Sequence, residues 1–268
     1  MSENAVLNSL HTEFARTITR NFSKAIEEYS LLKSGDKICV CISGGKDSML
    51  LGELFRDLEQ RAAFPVTVRY LVMDPGYSEE HYALIKSNAK RLGLPIETFR
   101  TEIFKHTENT KNNPCFLCSK MRRGHLYSKA RELGCNKIAL GHHFDDVIES
   151  ILMGMIYGGQ TQTMLPKLKA QNYTGMELIR PLYFVRERDI IAWRDVNDLR
   201  FLQCACRLTK QQDGSKRQLV KRLIARLSEE NPQVAQNIFR SVHNVRLDRI
   251  ISYKDALGEH SFLDDYEE

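Results

Sequence analysis

The chain lacks the features that direct a protein into or across a membrane. No run of about 18 apolar residues, the length a bilayer-spanning helix needs, occurs in its 268 residues. The first residues, MSENAVLNSLHTEF, carry no basic region followed by an apolar core, so no secretory leader is expected. Internal repeats and low-complexity linkers are also missing. The common nucleotide loop, G-x-x-x-x-G-K-[ST], is absent too: its spacing does not exist around Gly44, Gly45 and Lys46. The seven cysteines are an odd number, so they cannot close completely into a disulfide framework. In a reducing compartment such a set points to metal binding or catalysis. These absences predict a cytoplasmic protein with no membrane partner. The formal charge of +5 permits a polyanionic partner without requiring one.

What is present is a regular alternation of short β-branched runs and amphipathic stretches. Leu7, Leu10, Phe14, Ile18, Phe22, Ile26 and Tyr29 recur every three or four residues, which predicts one helix over 7–32 with a single buried stripe. KICVCI reads as a strand, followed by a glycine turn and a helix through DSMLLGELFRDLEQ. VTVRYLVMD, IETFR and NKIALG read as further strands. Between and after them lie helices over SEEHYALIKSNAKRLG (Ser78 its N-cap, Gly93 its stop), CSKMRRGHLYSKARELG and DDVIESILMGMIYGG. The expectation is an α/β fold: a doubly wound, Rossmann-like parallel sheet with an N-terminal helix and a C-terminal helical appendage. The expected division is an N-terminal segment at 1–34, a nucleotide-binding domain at 35–206 and a helical extension at 207–268. Such sheets bind ligands beyond the carboxyl ends of their strands, where Gly44, Asp74 and Gly141 fall.

The turn SGGKDS leaves a strand and enters a helix, whose first N–H groups have no internal partners. With the helix dipole they make an anion site. Gly44 and Gly45 let the main chain approach oxygen atoms closely. Ser43 and Ser48 offer hydroxyls, and Lys46 a charge. Asp47 would repel phosphates unless a cation intervenes, so its expected work is to hold Mg²⁺ or to orient the turn.

Cys115 and Cys118 form a C-x-x-C pair, and Cys204 and Cys206 follow much later. Two clustered pairs in one reducing-compartment chain favour a metal site. Cys39 and Cys41 lie two apart in a strand, share one face and are expected to pack in the core, as is Cys135. Lys120, Arg122, Arg123, Lys129 and Arg131 make the helix after the first pair basic, and Lys216, Arg217, Lys221, Arg222 and Arg226 form a second basic face. Such faces suit a phosphate backbone, though they also occur as solvated helix surface.

SGGKDS resembles the PP-loop of the ATP pyrophosphatases (adenine nucleotide alpha hydrolase-like proteins), which cleave ATP between its α- and β-phosphates. That loop followed by P-C-x-x-C-x-x-x-R-R-G, LGHHFDD, YGG and IRPL resembles the tRNA-cytidine 2-thiotransferases over about residues 35–206. The resemblance implies thiolation of C2 of a cytidine in the tRNA anticodon loop (position 32), with ATP, Mg²⁺ and a [4Fe–4S] cluster held by three cysteines. By position, Cys115, Cys118 and Cys204 match the cluster ligands. The second pair here is Gln203-Cys204-Ala205-Cys206, where the family has C-x-x-C after proline; this keeps Cys206 as an alternative third ligand and zinc as an alternative metal. The resemblance further implies a homodimer, a tRNA partner and a cellular sulfur donor such as a cysteine desulfurase. The expected nucleotide site is Ser43, Gly44, Gly45, Lys46, Asp47, Ser48, Asp74 and Gly141, with Asp47 and Asp146 catalytic and Lys120, Arg122 and Arg123 on RNA. Asp145 and Asp146 suit Mg²⁺ support or acid–base work, although one of them could cap a helix, and His142 and His143 read equally well as scaffold. Two other classes fit part of the pattern. An ATP-dependent amide synthetase would explain the loop but not the cysteines, and an RNA-binding module with a vestigial loop would bind tRNA without ATP.

Overall fold

A computed structural model describes residues 3–103, 114–202, 215–264 and 266, with the backbone alone at 3–4, 114–116 and 118–119. It divides into two compact units, Met1–Val147 with Leu165–Gly214, and Ile148–Met164 with Ser215–Glu268.

The first unit is built on a six-stranded sheet. Its strands are β1 (Lys37–Ile42), β2 (Thr67–Asp74), β3 (Ile96–Arg100), β4 (Lys137–Ala139), β5 (Lys167–Lys169) and β6 (Glu177–Ile179). Their order is β3-β2-β1-β4-β6-β5. All neighbouring pairs are parallel except β5 with β6 at the edge. The topology reverses between β1 and β4, which is where a doubly wound sheet opens its ligand crevice. β1 is buried along almost its whole length, the continuous apolar run expected of a strand covered on both faces.

The helices are α1 (Glu3–His11), α2 (Arg20–Glu28), α3 (Lys46–Arg61), α4 (Glu79–Arg91), α5 (Pro114–Glu132), α6 (Phe144–Gly158), α7 (Glu187–Val196), α8 (Lys216–Glu230) and α9 (Val234–Ser241). The boundary between the units falls within α6. α3 buries Met49, Leu50, Leu51, Leu54 and Phe55, each contributing roughly 1.5–3 kcal/mol by leaving water. Ser78 caps α4 by accepting a hydrogen bond from His81 N–H at 3.3 Å, and Gly93, at φ +63, ends it as expected. Among the described residues no helix is long and apolar enough to cross a membrane.

Three expectations are corrected. The single helix over 7–32 is broken into α1, a π-helical turn at Ala15–Thr19, and α2. Phe14 N–H reaches back to Ser9 O, a wide turn, and Thr19 Oγ donates to Leu10 O at 2.6 Å, satisfying a carbonyl at the break. Leu10, Phe14, Ile18 and Phe22 of the expected stripe are buried, whereas Leu7, Ile26 and Tyr29 are half-buried and Val6 and Ala25 take the buried places at the two ends. The sheet gains the antiparallel β5–β6 edge, whose three-residue strands are too short to show a period. In the second unit, a hairpin of β7 (Ser252–Lys254) and β8 (Glu259–Ser261) follows the expected helices.

Candidate active site at the carboxyl ends of the strands

β1 runs directly into the loop Ser43–Ser48, and α3 starts at Lys46 with Gly45 as its N-cap. No side chain caps this helix, so its leading amides keep their capacity for an anion. Gly44 has φ +86, and a Cβ there would stand 2.6 Å from Ile85 Cγ1, so only glycine fits. The loop is braced internally: Ser43 N–H donates to Ser48 Oγ at 3.0 Å, and Ser48 Oγ donates to Gly45 O at 3.0 Å.

The β4–α6 connection closes on this loop from the other side of the switch point. A Cβ on Gly141 would lie 3.0 Å from both Asp47 C and Ser48 N, so Gly141 gives the close backbone approach between the two strand ends. From β2, Tyr77 OH donates to Ser43 O at 3.4 Å. Asp74 is the tie behind it, its Oδ1 accepting from Gly76 and Tyr77 N–H at 2.8 and 2.7 Å.

Asp47 is the least satisfied polar group of the loop. Its Oδ2 accepts a hydrogen bond from Lys46 Nζ at 3.2 Å. Its Oδ1 is buried and lies 3.0 Å from the same ammonium and 3.7 Å from His143 Nε2, yet no hydrogen bond is aligned on it. The ammonium supplies charge there, while its aligned hydrogen bonds go to Oδ2 and to Glu187. A buried carboxylate oxygen without a donor suits a divalent cation. Lys46 also donates to Glu187 Oε1 at 3.1 Å. Burial works to lower the Lys46 pKa, but Asp47 and Glu187 outweigh it and raise it, so the side chain stays an ammonium.

The two aspartates after β4 have different duties. Asp145 accepts from Glu187 N–H at 2.7 Å and pairs with Arg186 at 3.1 Å, so it caps α7 across the sheet edge. Asp146 and His143 exchange bonds at the start of α6: His143 N–H donates to Asp146 Oδ2 at 3.1 Å, and Asp146 N–H donates to His143 Nδ1 at 3.4 Å. That is a capping box with histidine in the usual serine or threonine place. His143 is buried at 4% exposure, in keeping with a scaffold role. His142 accepts from Arg180 Nε at 3.4 Å.

Cys115 and Cys118 occupy the first turns of α5, and their side chains lie outside the described residues, as do Cys204 and Cys206 entirely. Described residues do lead to the second pair. Leu202, two residues before Cys204, donates its N–H to Gly44 O at 3.2 Å. The stretch before it is fastened to α4, with Asn88 Nδ2 on Arg200 O and Arg91 on Asn197 and Asp198 carbonyls. Cys39, Cys41 and Cys135 are buried together in one core cluster, as expected. On α5, Lys120 and Arg123 are exposed and Arg122 is half-buried. Lys129 pairs with Glu132, and Arg131 lies over the Tyr173 ring, so these two have local partners. In the second unit Arg217 pairs with Glu149 at 2.7 Å and Lys216 covers Tyr157.

The sequence alone did not point to Glu187, Arg180 or Leu202. Glu187 is 141 residues from its partner Lys46, and no local pattern reveals such a pairing. Arg180 was visible only as part of IRPL.

A model of the PP-loop domain matches residues 12–226. The tRNA-cytidine(32) 2-sulfurtransferase of Syntrophotalea carbinolica is 35% identical over 234 residues, 86% of this chain and 90% of that protein. The chain belongs to the tRNA-cytidine(32) 2-sulfurtransferase family of PP-loop proteins. A second member, from Coxiella burnetii, is 37% identical over 235 residues, again 86% and 90% of the two chains. One from Anaeromyxobacter dehalogenans is 34% identical over 258 residues, 93% of this chain and 88% of its own. The U34-tRNA thiolase NcsA of Methanococcus maripaludis, solved with its [4Fe-4S] cluster, shares the fold at a TM-score of 0.65 and 20% identity, over 85% of this chain and 79% of that one.

Proposed function

We propose that this protein is an ATP-dependent tRNA sulfurtransferase that replaces the C2 oxygen of the anticodon-loop cytidine at position 32 with sulfur. The observation that carries this reading is the PP-loop itself. In a chain 35–37% identical to such enzymes, an uncapped helix start, a glycine at φ +86 and a buried aspartate oxygen without a donor meet at the sheet's switch point.

The C2 oxygen of a pyrimidine leaves poorly. In the proposed route it attacks the α-phosphorus of ATP, the bond from that phosphorus to the bridging oxygen breaks, and pyrophosphate departs. Sulfide then adds at C2, the C2–O bond breaks, and AMP leaves with the oxygen. The leading amides of α3, with Ser43, Gly44, Gly45 and Ser48, would bind the departing pyrophosphate. Lys46, held charged by Asp47 and Glu187, adds to the positive end of that site. Asp47 Oδ1 would hold Mg²⁺, which neutralises phosphate charge. Asp74 and Gly141 frame the crevice from β2 and β4. Asp146, already oriented by His143, is assigned to the reacting centre, whereas Asp145 is spent on α7.

Cys115, Cys118 and Cys204, with Cys206 the alternative third ligand, would hold a [4Fe–4S] cluster, a group that thiolates suit. When bound it supplies an iron site for sulfur away from solvent. Leu202, two positions before Cys204 in the sequence, is bonded to Gly44 of the loop. Lys120, Arg122 and Arg123 are assigned to the tRNA backbone. A cytoplasmic homodimer fed by a cysteine desulfurase completes the proposal.

The test is anaerobic purification with iron and sulfide analysis, followed by mass spectrometry of reacted tRNA. The wild type should carry about four irons per chain and yield 2-thiocytidine. Cys115→Ser should abolish thiolation while sparing ATP binding, and retained thiolation in that variant would end the cluster assignment.

A further inference from the structure

Arg180 follows β6 at the carboxyl end of the sheet and is only 8% exposed. A guanidinium carries five N–H donors. Hydrogen bonds with described residues occupy two of them, one on His142 Nδ1 and one on Leu165 O. No carboxylate among the described residues forms an ion pair with it, although Asp146 is near enough to attract it. Arg123 on the basic helix α5 is near enough to repel it.

This environment is unusual, because a buried charge is ordinarily paired. Burial lowers the Arg180 pKa to about 10, with Arg123 adding to that fall, and Tyr183 opposes it. The group therefore remains a cation near neutrality, desolvated and without an ion-pair partner among the described residues. A neutral His142 that accepts at Nδ1 carries its proton on Nε2, so the same contact fixes the tautomer of a second donor at the crevice.

We infer that Arg180 is a phosphate-binding residue whose planar fork takes a phosphate oxyanion in the crevice between the PP-loop and α5. The inference rests on the reading of that crevice as a nucleotide and RNA site, and it adds a contact made by neither the loop nor the exposed basic residues. The phosphate belongs either to the nucleotide or to the RNA backbone. Both present the same singly or doubly charged oxygens, which a fork binds in two places at once.

Two variants and one variant-free measurement test it. Arg180→Gln removes the charge, and Arg180→Lys keeps the charge but loses the fork. Melting curves of both establish that the fold persists. Binding of AMP and of a tRNA anticodon stem-loop is then measured, the latter across a salt series. If the phosphate is the nucleotide's, AMP affinity falls about tenfold or more in the glutamine variant and less in the lysine variant, with the salt slope unchanged. If it is the RNA's, AMP binding holds and the log–log salt slope shrinks by about 0.7 to 0.9. In the wild type, the Arg180 Nε–H resonance should shift on adding one of the two ligands, which answers the question even where a variant does not fold. Wild-type protein that binds neither ligand would end the crevice reading itself. Wild-type binding that the variants leave unchanged, with a resonance insensitive to both ligands, would overturn only the role of Arg180.

Discussion

Two buried cations sit on neighbouring strands of one sheet, at opposite ends. Lys137 opens β4 at the amino end, 2% exposed, with Asp36 at 3.3 Å and Glu177 at 2.5 Å. Asn136 adds a bond to Asp36, and Asp36 accepts from Lys33 N–H. A cavity of about 490 Å³ opens beside these residues, yet the charges of Lys137, Asp36 and Glu177 in its wall already satisfy one another. At the carboxyl end Arg180 has no such partner among the described residues, and Asp47 keeps a buried oxygen with no hydrogen bond aligned on it. Both ends hide charge from water. Only one leaves it unsatisfied, and it is the end at which a doubly wound sheet takes its ligands.

The contrast can be broken from either side. The largest expected effect is at the satisfied end. Lys137→Met strands Asp36 and Glu177 without their cation and should cost about 3–5 kcal/mol of stability by urea unfolding. Activity per folded molecule should be unchanged. Asp47→Asn should do the reverse: melting stays close to wild type, while tRNA-dependent pyrophosphate release falls by on the order of 10²-fold. Gly141→Ala comes next. Its Cβ would press on the Asp47–Ser48 backbone at 3.0 Å, an overpacking of about 1–3 kcal/mol, and should weaken ATP binding measured by calorimetry.

The smallest effect is a pH dependence of stability. Burial tends to raise the Glu177 pKa, but Lys137 and Lys167 outweigh it and hold it below the ordinary carboxylate value. A depressed carboxylate stabilises the fold above its unfolded pKa and loses that stabilisation as pH falls through its folded one. The urea midpoint should therefore fall below the ordinary glutamate range, and in Lys137→Met that part of the fall should shrink.

Legibility in the sequence followed separation along the chain. β1, the loop and the start of α3 are contiguous, so SGGKDS displayed its own strand–turn–helix geometry. The Ser78 cap and Gly93 stop lie within one helix and were equally readable. The shared face of Cys39 and Cys41 followed from strand alternation, and their burial from the continuous apolar run of β1. What was hidden depends on distant pieces meeting. Lys46 finds Glu187, Asp145 caps a helix about forty residues on, and Leu202 returns to Gly44. The break in the N-terminal helix was hidden for another reason: Leu10, Phe14, Ile18 and Phe22 follow one another at four-residue spacing straight through the π turn, so the apolar pattern does not mark it. The aspartates after β4 show the limit of a motif, since HHFDD names two carboxylates but only tertiary contacts separate the one tied to Arg186.

The most direct test of the account follows the products of ATP. ATP labelled at the α- and γ-phosphates is incubated with reduced, anaerobic protein, with and without tRNA, and with Asp47→Asn in parallel. The account predicts AMP and pyrophosphate, formed only with tRNA, in step with thiolated cytidine, and lost in the variant. ADP and inorganic phosphate, or pyrophosphate released equally without tRNA, would contradict it.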